Sequence, residues 1–437
     1  MDKKQLIAGV MVLAVVLAKG QDTLMISKTQ LLEQVAAENH QIRIAEMQAE
    51  MAGADYQQSN SLYLPQVSAS YTGITTNNPL MAFGSKLNQE ILTQADFNPA
   101  LLNDPDNVEN FATEILILQP LLNLDGVYGR NAAKIQKEAY ELKTGRMKEY
   151  LELEAVKWYM QLQLAYEAVQ VLERAVQTSQ EALDMITDYY DQGMLQKADL
   201  LDVQVRANEV QNQLRYAKSN VQNTSDQLAI LLGERPGLVT YKPEERAAME
   251  YEQSSFPMML PEGRKDLLAM NKSVQGYESL MQSSRMKFLP RINAFGSFQL
   301  YDNQPLGFDA SGYVIGAKLS WDIFKGYTQI AQANKAKIEA LKARVEQEQY
   351  SAQQQAELSK ANRMFLDALE KIASSELAFD QASEAYKVRK DRFEQGLEKT
   401  SDLLTAETQM FNKELEFRQA VFEYNFSKEY LHFLTRQ

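Results

Sequence analysis

The sequence predicts a mostly α-helical protein with a small β part, in which long antiparallel coiled-coil hairpins and four β-strands per chain are arranged as two internal repeats. Three observations predict it. The first is where proline and glycine are missing. Of 437 residues only 11 are Pro and 19 Gly, and no Pro falls in the 115 positions between Pro120 and Pro236 or in the last 132 after Pro305. Helix interiors exclude Pro because it lacks the N–H and clashes with the preceding turn, so these stretches predict very long helices. That argues against a conventional α/β enzyme, whose helices average about 11 to 12 residues. The second observation is a repeated coiled-coil seam, and the third is a set of period-two segments.

Along the chain, residues 1–20 predict a signal peptide. Lys3 and Lys4 precede the apolar run Leu6 to Leu17, and Ala18-Lys19-Gly20 supplies a small-x-small cleavage site. That run of 12 residues is too short to span a bilayer as a helix, which needs about 20. No later apolar run approaches that length, but β-barrel strands alternate and escape such a scan. The first repeat, 21–233, opens with a helix over Ser27 to Leu64. Leu64-Pro65-Gln66-Val67 then begins a strand near 67–74, followed by a long external loop at 77–110. A second strand near 114–121 alternates poorly. A descending helix from Tyr128 to Tyr190, a tip near 191–198 and a return helix from Asp199 to Leu232 complete the repeat.

Residues 234–262 contain Pro and link the repeats. The second repeat, 263–437, runs in the same order. Its parts are a helix from Glu262 to Leu289, the start Leu289-Pro290-Arg291-Ile292, strands near 292–301 and 313–321, a helix from Tyr327 to Phe393, a tip near 394–401 and a return helix from Asp402 to Leu434.

The duplication is explicit at the tips. Tyr190-Asp191-Gln192-Gly193 with Asp199-Leu200-Leu201 recurs as Phe393-Glu394-Gln395-Gly396 with Asp402-Leu403-Leu404, at a constant offset of 203. The flanking seam, Trp158, Leu162, Ala165, Val169, Leu172, Val176, Ser179, Leu183, Ile186 and Tyr190, steps by fours and threes, as a left-handed coiled coil requires. A short turn carrying one Gly makes each pair of helices an antiparallel hairpin. At about 1.5 Å per residue each descending helix is roughly 95 to 100 Å long, and two shorter helices stacked end to end flank it.

The strands supply the functional constraint. Tyr313, Ile315, Ala317, Leu319 and Trp321 alternate with Gly316, Lys318, Ser320 and Asp322, with aromatics at the ends, as a membrane strand requires. Four strands cannot close a barrel, since the smallest single-chain barrels have about eight. Open edges in lipid cost several kcal/mol per unpaired group, so membrane strands here require several chains to share one barrel. A soluble four-stranded sheet on a coiled coil needs no partner.

Charge and composition narrow the partners. With 45 basic and 58 acidic residues the net charge is −13, which disfavours nucleic acid. There is no Cys and only two His, so thiolate zinc sites, disulfides and Cys nucleophiles are absent. No metal site or cofactor is expected. No phosphate loop or nucleophile elbow is present, and no enzyme is predicted.

Taken in order, the signal peptide, the duplicated Leu-Pro strand starts, the repeated Gly-x5-Asp-Leu-Leu tips and the junctions Leu124-Asp125-Gly126 and Phe324-Lys325-Gly326 resemble those of the TolC-like outer-membrane efflux factor family. The resemblance implies a homotrimer with a twelve-stranded β-barrel in outer-membrane lipid, continued by an α-barrel tunnel across the periplasm of a diderm bacterium. It implies a periplasmic adaptor and an inner-membrane pump as partners in tripartite efflux or secretion. The implied cargo is drugs, bile salts, metals or secreted polypeptides. The competing prediction is a soluble periplasmic coiled-coil scaffold or adaptor.

By the same resemblance the tips dock the adaptor through Gly193, Met194 and Leu195 and through Gly396 and Leu397. Carboxylates six and nine positions after the tip Gly form gate rings in the family. Here those positions hold Asp402 but Thr405 in the second repeat, and Asp199 and Asp202 in the first. Asp199 and Asp402 also suit N-capping of the return helices. Phe393 retains the family's gate aromatic without its hydroxyl, and Glu398 stands where the family has a basic residue, leaving Lys390, Arg392 or Lys399 to replace that gate ion pair.

Overall fold

The computed structural model describes residues 22–247 and 256–436, so the expected signal peptide lies outside the described residues. In chain order the elements are β1 (Asp22–Ile26), α1 (Lys28–Glu38), α2 (His40–Gln58), β2 (Gln66–Thr76), α3 (Pro79–Asn88), α4 (Pro99–Asn103), β3 (Val108–Leu122), α5 (Leu124–Asp191) and α6 (Lys197–Leu231). There follow β4 (Val239–Pro243), α7 (Lys265–Met286), β5 (Arg291–Asp302), β6 (Ala310–Ser320), α8 (Thr328–Glu394) and α9 (Thr400–Thr435). The predicted long helices are present, with α5 and α8 running 68 and 67 residues. The chain divides into two compact units.

The first unit comprises Met1–Met47, Glu141–Leu268 and Gln349–Gln437, and its described residues form a helical bundle. Each hairpin has its own apolar core. Leu151, Ala155, Tyr159 and Leu162 of α5 pack with Val221 and Leu228 of α6 and with Leu31 and Val35 of α1. Leu358, Phe365 and Ile372 of α8 pack with Phe417, Tyr424 and Leu431 of α9. A further cluster joins the hairpins to each other through Ala182 and Ile186 of α5, Val203 of α6, Phe393 of α8, and Leu403 and Leu404 of α9.

Two expectations here need correction. The helix predicted over Ser27 to Leu64 is broken at Asn39, whose backbone is extended (φ −64°, ψ 127°). Its Oδ1 accepts from the N–H of Gln41 and Ile42 at 2.8 and 3.3 Å, and its amide donates to the Leu231 carbonyl at 2.8 Å. One buried side chain thus starts α2 and holds the end of α6. The linker 234–262 is also not wholly irregular, because β4 pairs in parallel with β1 from Asp22↔Val239 to Ile26↔Pro243. Strands of five residues are too short to show a period.

The second unit comprises Gln48–Tyr140 and Ala269–Glu348 and contains a four-stranded antiparallel sheet in the order β2-β3-β5-β6. β3 starts at Val108, six positions before the predicted strand, and its register shifts between Pro120 and Leu122. Pro120 has no N–H for the ladder, which fits the shift there, and the four consecutive apolar residues Ile115 to Leu118 are why the alternation is weak in sequence. The predicted loop 77–110 is largely helical. Asn78 caps α3 by accepting from the Met81 N–H at 3.2 Å, with Pro79 in the first turn. Phe83 meets Phe97 edge-on at 5.7 Å and Lys86 pairs with Asp96 at 2.8 Å. Gln89 ties the segment to the sheet by donating to the Glu109 carbonyl, Asn110 Oδ1 and the Asp302 carbonyl at 2.8, 2.9 and 3.2 Å.

Candidate functional site

The sheet carries one candidate surface. Cross-strand partners share a face, so the registers place Val67, Ile117, Gly296 and Ile315 in one row and Ala69, Ile115, Phe298 and Tyr313 in the next. These rows make an apolar face across all four strands, and Val67, Ile315 and Tyr313 are 65, 79 and 76% exposed in the single chain. The opposite face carries Ser70, Glu114 and Gln299, with Gln299 donating to Glu114 at 2.9 Å. Phe295, the aromatic exception on that polar face, lies over Gly316, where a Cβ would come within 2.8 Å of the ring. β2 and β6 are the outer strands, each with one edge unpaired among the described residues.

The hairpin tips carry a second, separate one. Both α5 and α8 end in the same Schellman closure. Gly193 and Gly396 have φ +74°, a conformation that costs an L residue about 1–2 kcal/mol. The Met194 N–H donates to the Tyr189 carbonyl at 2.8 Å, and the Leu397 N–H donates to the Arg392 carbonyl at 2.9 Å. No atom lies within 4 Å of a Cβ built on either glycine, so backbone conformation, rather than crowding within the chain, requires Gly. Met194 and Leu397 are exposed, at 69 and 62%, and Leu195 is half-buried against the cluster between the hairpins.

The carboxylates part company. Asp199 is not the N-cap of α6; Gln196 is, and its N–H donates to Asp199 Oδ2 at 3.1 Å, so Asp199 closes the first turn from inside. Lys399 occupies the corresponding position before α9, and Asp402 stands in the first turn, where its charge complements the helix dipole. The N-capping role expected of both is therefore replaced by a first-turn role, because each return helix begins two residues before its Asp. Asp202 is exposed.

Phe393 is 3% exposed and packs with Tyr189 of the other hairpin at 6.1 Å between centroids. It belongs to the apolar join between hairpins. Glu398 is clasped by Arg389 at 3.1 Å and Arg392 at 3.0 Å. Glu398 thus has basic partners within its own tip, Arg389 and Arg392, and of the three basic residues offered by sequence only Arg392 is among them.

Two charged groups went unnoticed in the sequence. Glu407 of α9 is fully buried, and Arg206 of α6 approaches it at 3.8 Å. They flank the seam of each hairpin and are buried only where the hairpins meet, so a periodicity within one hairpin gives no sign of them. Among the described residues no group of acidic or His side chains forms a metal cage, and no helix is long and apolar enough to cross a membrane.

The fold has close counterparts. The CmeC outer membrane channel of Campylobacter jejuni superposes with a TM-score of 0.81 at 17% identity, covering 93% of this chain and 85% of that one. CusC gives a TM-score of 0.80 at 15% identity over 96 and 95% of the two chains. VceC, an outer membrane protein of Vibrio cholerae, gives 0.78 at 14% identity over 94 and 97%. No curated protein sequence matches the chain. The model of the family described as outer membrane efflux protein matches residues 31–234 and 258–426, which is most of the sequence, and the chain belongs to that family.

Proposed function

We propose that this protein is the outer-membrane exit duct of a tripartite efflux or secretion system, with no chemistry of its own. The observation that carries this reading is the sheet: four strands, an apolar face exposed across all of them, and two unpaired edges. In lipid each unpaired edge group costs several kcal/mol, and pairing β2 of one copy with β6 of the next removes that cost. Three copies give twelve strands, enough to enclose an aqueous channel. A soluble scaffold would leave the Ile315 and Tyr313 rows in water.

In this reading the tips are the docking end for a periplasmic adaptor and its inner-membrane pump, with Met194, Leu195 and Leu397 presented beside the turning glycines Gly193 and Gly396. Asp199, Asp202 and Asp402 supply acidic rings at a periplasmic gate, which attract cations and repel one another when ionised. The cargo class spans small molecules such as drugs, bile salts and metals, and secreted polypeptides.

The test is fractionation followed by planar-bilayer recording. The expected result is a trimer in the outer-membrane fraction that conducts with cation preference, and whose resting conductance rises in the Asp199→Ala, Asp402→Ala double variant. Recovery as a soluble monomer without conductance overturns the duct.

A further inference from the structure

Between the apolar cluster nearest the tips and the next one up the bundle lies a layer of a different character. Below it are Ala182, Ile186, Val203, Leu403 and Leu404, and above it Val171, Ala175, Val210 and Phe411. The residues that fall between these positions are Ser179 on α5, Arg206 on α6 and Glu407 on α9, and Tyr386 of α8, half-buried against the lower cluster, lies within reach of the Glu407 charge. Three helices contribute a polar side chain where the flanking layers are apolar, and the phenol of Tyr386 borders them from the fourth.

The layer is poorly satisfied. Neither carboxylate oxygen of Glu407 has a hydrogen-bond partner, nor do Arg206 Nε and Ser179 Oγ. Glu407 is fully buried and Ser179 is 1% exposed. Arg206 stands 3.8 Å from Glu407, beyond hydrogen-bonding distance, and shares its charge with the exposed Glu209 at 3.9 Å. A buried, unbonded carboxylate is costly when ionised and much less so when protonated.

We infer that this layer is a proton-operated latch between the two hairpins, in which protonated Glu407 holds the hairpin tips together and its ionisation loosens them. The inference rests on the duct reading for its physiological meaning, but not for its physics. The groups facing Glu407 are Arg206 from α6 and Tyr386 from α8. Glu181 of α5 and Glu394 of α8 act on Tyr386. Within four residues on α9 itself there is no other charge.

Burial pushes the Glu407 carboxyl up to about 7 against the opposing pull of Arg206. Tyr386 is pushed up to about 12 by burial and by the charges of Glu407, Glu181 and Glu394, so it remains a neutral phenol throughout. The sign follows. Because the closed bundle raises this carboxyl above its ordinary 4.5, its proton stabilises closure fully below that value, and the stabilisation is lost as pH rises through about 7.

Two measurements test this together. Single-channel recording across pH should show the wild-type resting conductance rising on the alkaline side of a midpoint near 7. Glu407→Gln, which mimics the protonated acid, should stay at the low-conductance level throughout. Arg206→Met should move the midpoint upward, since it removes the one charge favouring ionisation. Amide exchange in segments 203–210 and 403–411, corrected for its intrinsic pH dependence, should accelerate between about pH 6 and pH 8 by about ten-fold in wild type and not in Glu407→Gln. Unchanged midpoints in either variant, a downward shift in Arg206→Met, or equal exchange in wild type and Glu407→Gln overturns the latch. A protein that forms no channel refutes the duct, and the exchange measurement still decides the latch.

Discussion

Replacing Asp266 with Asn removes one negative charge from a place where two guanidinium groups depend on it. Arg264 is fully buried; its Nε donates to Asp266 Oδ1 at 2.8 Å, and its other nitrogens reach Gln354 at 2.6 Å and the Leu434 carbonyl at 3.3 Å. Arg146 approaches the same carboxylate at 3.6 Å and Tyr350 donates to it at 2.7 Å. This network joins the start of α7 to α5, α8 and the end of α9 within one unit. Burial alone raises the Asp266 carboxyl, but the bonds from Arg264 and Tyr350 and the charge of Arg146 outweigh it and hold it at about 2 instead of 3.8.

A depression of that size corresponds to about 2 kcal/mol of stability at neutral pH. Breaking a buried pair by removing one partner costs about 3–5 kcal/mol in general, and here Gln354 and Glu149 remain to receive the two arginines, so the lower figure applies. The depressed carboxyl contributes its stability above its ordinary value and loses it as pH falls through about 4 toward 2. Asn mimics the protonated acid. Urea unfolding of the purified protein, followed by circular dichroism, should therefore show Asp266→Asn less stable by about 2 kcal/mol at pH 7, with the gap closing in acid. Equal stability at pH 7, or a gap that persists at pH 2, would refute the charge account.

Other substitutions test the remaining parts. Gly193→Ala and Gly396→Ala should each cost about 1–2 kcal/mol locally, seen as roughly ten-fold faster amide exchange at the Schellman N–H groups with no steric disturbance elsewhere; a displaced neighbouring helix would contradict this. Glu398→Ala should change global stability by less than about 1 kcal/mol, because Arg389 and Arg392 are half exposed, and the effect should vanish in high salt. Gly316→Ala should hinder assembly of the sheet by about 1–3 kcal/mol through its contact with Phe295, and Phe295→Ala in the same chain should restore it, read by gel mobility of the unheated protein.

How far the sequence carried each of these depends on whether the signal was local. The hairpins were legible to within a few residues because a seam and its closing glycine lie in one contiguous stretch: Tyr128 to Tyr190 was expected and Leu124–Asp191 is found. β5 and β6 were legible for the same reason, since each alternates along its own length. Asn39, which breaks the first helix, was not. Its capping of α2 is local, but its bond to the Leu231 carbonyl spans 192 positions and belongs to neither segment alone.

The helices of segment 77–110 stood nearer to view. Asn78-Pro79 and Asn98-Pro99 each put a capping side chain before a proline suited to the first helical turn, a short-range signature that the surrounding turn residues obscured. Glu407 marks the opposite limit. A charged residue beside a heptad seam is ordinarily solvated, and it is buried here only because a second hairpin covers that side. The same physics that hides it from a one-dimensional pattern gives it a use, since a carboxylate with no local partner takes its protonation state from whether the hairpins are together. A residue that senses an assembly of helices has no reason to announce itself within any one of them.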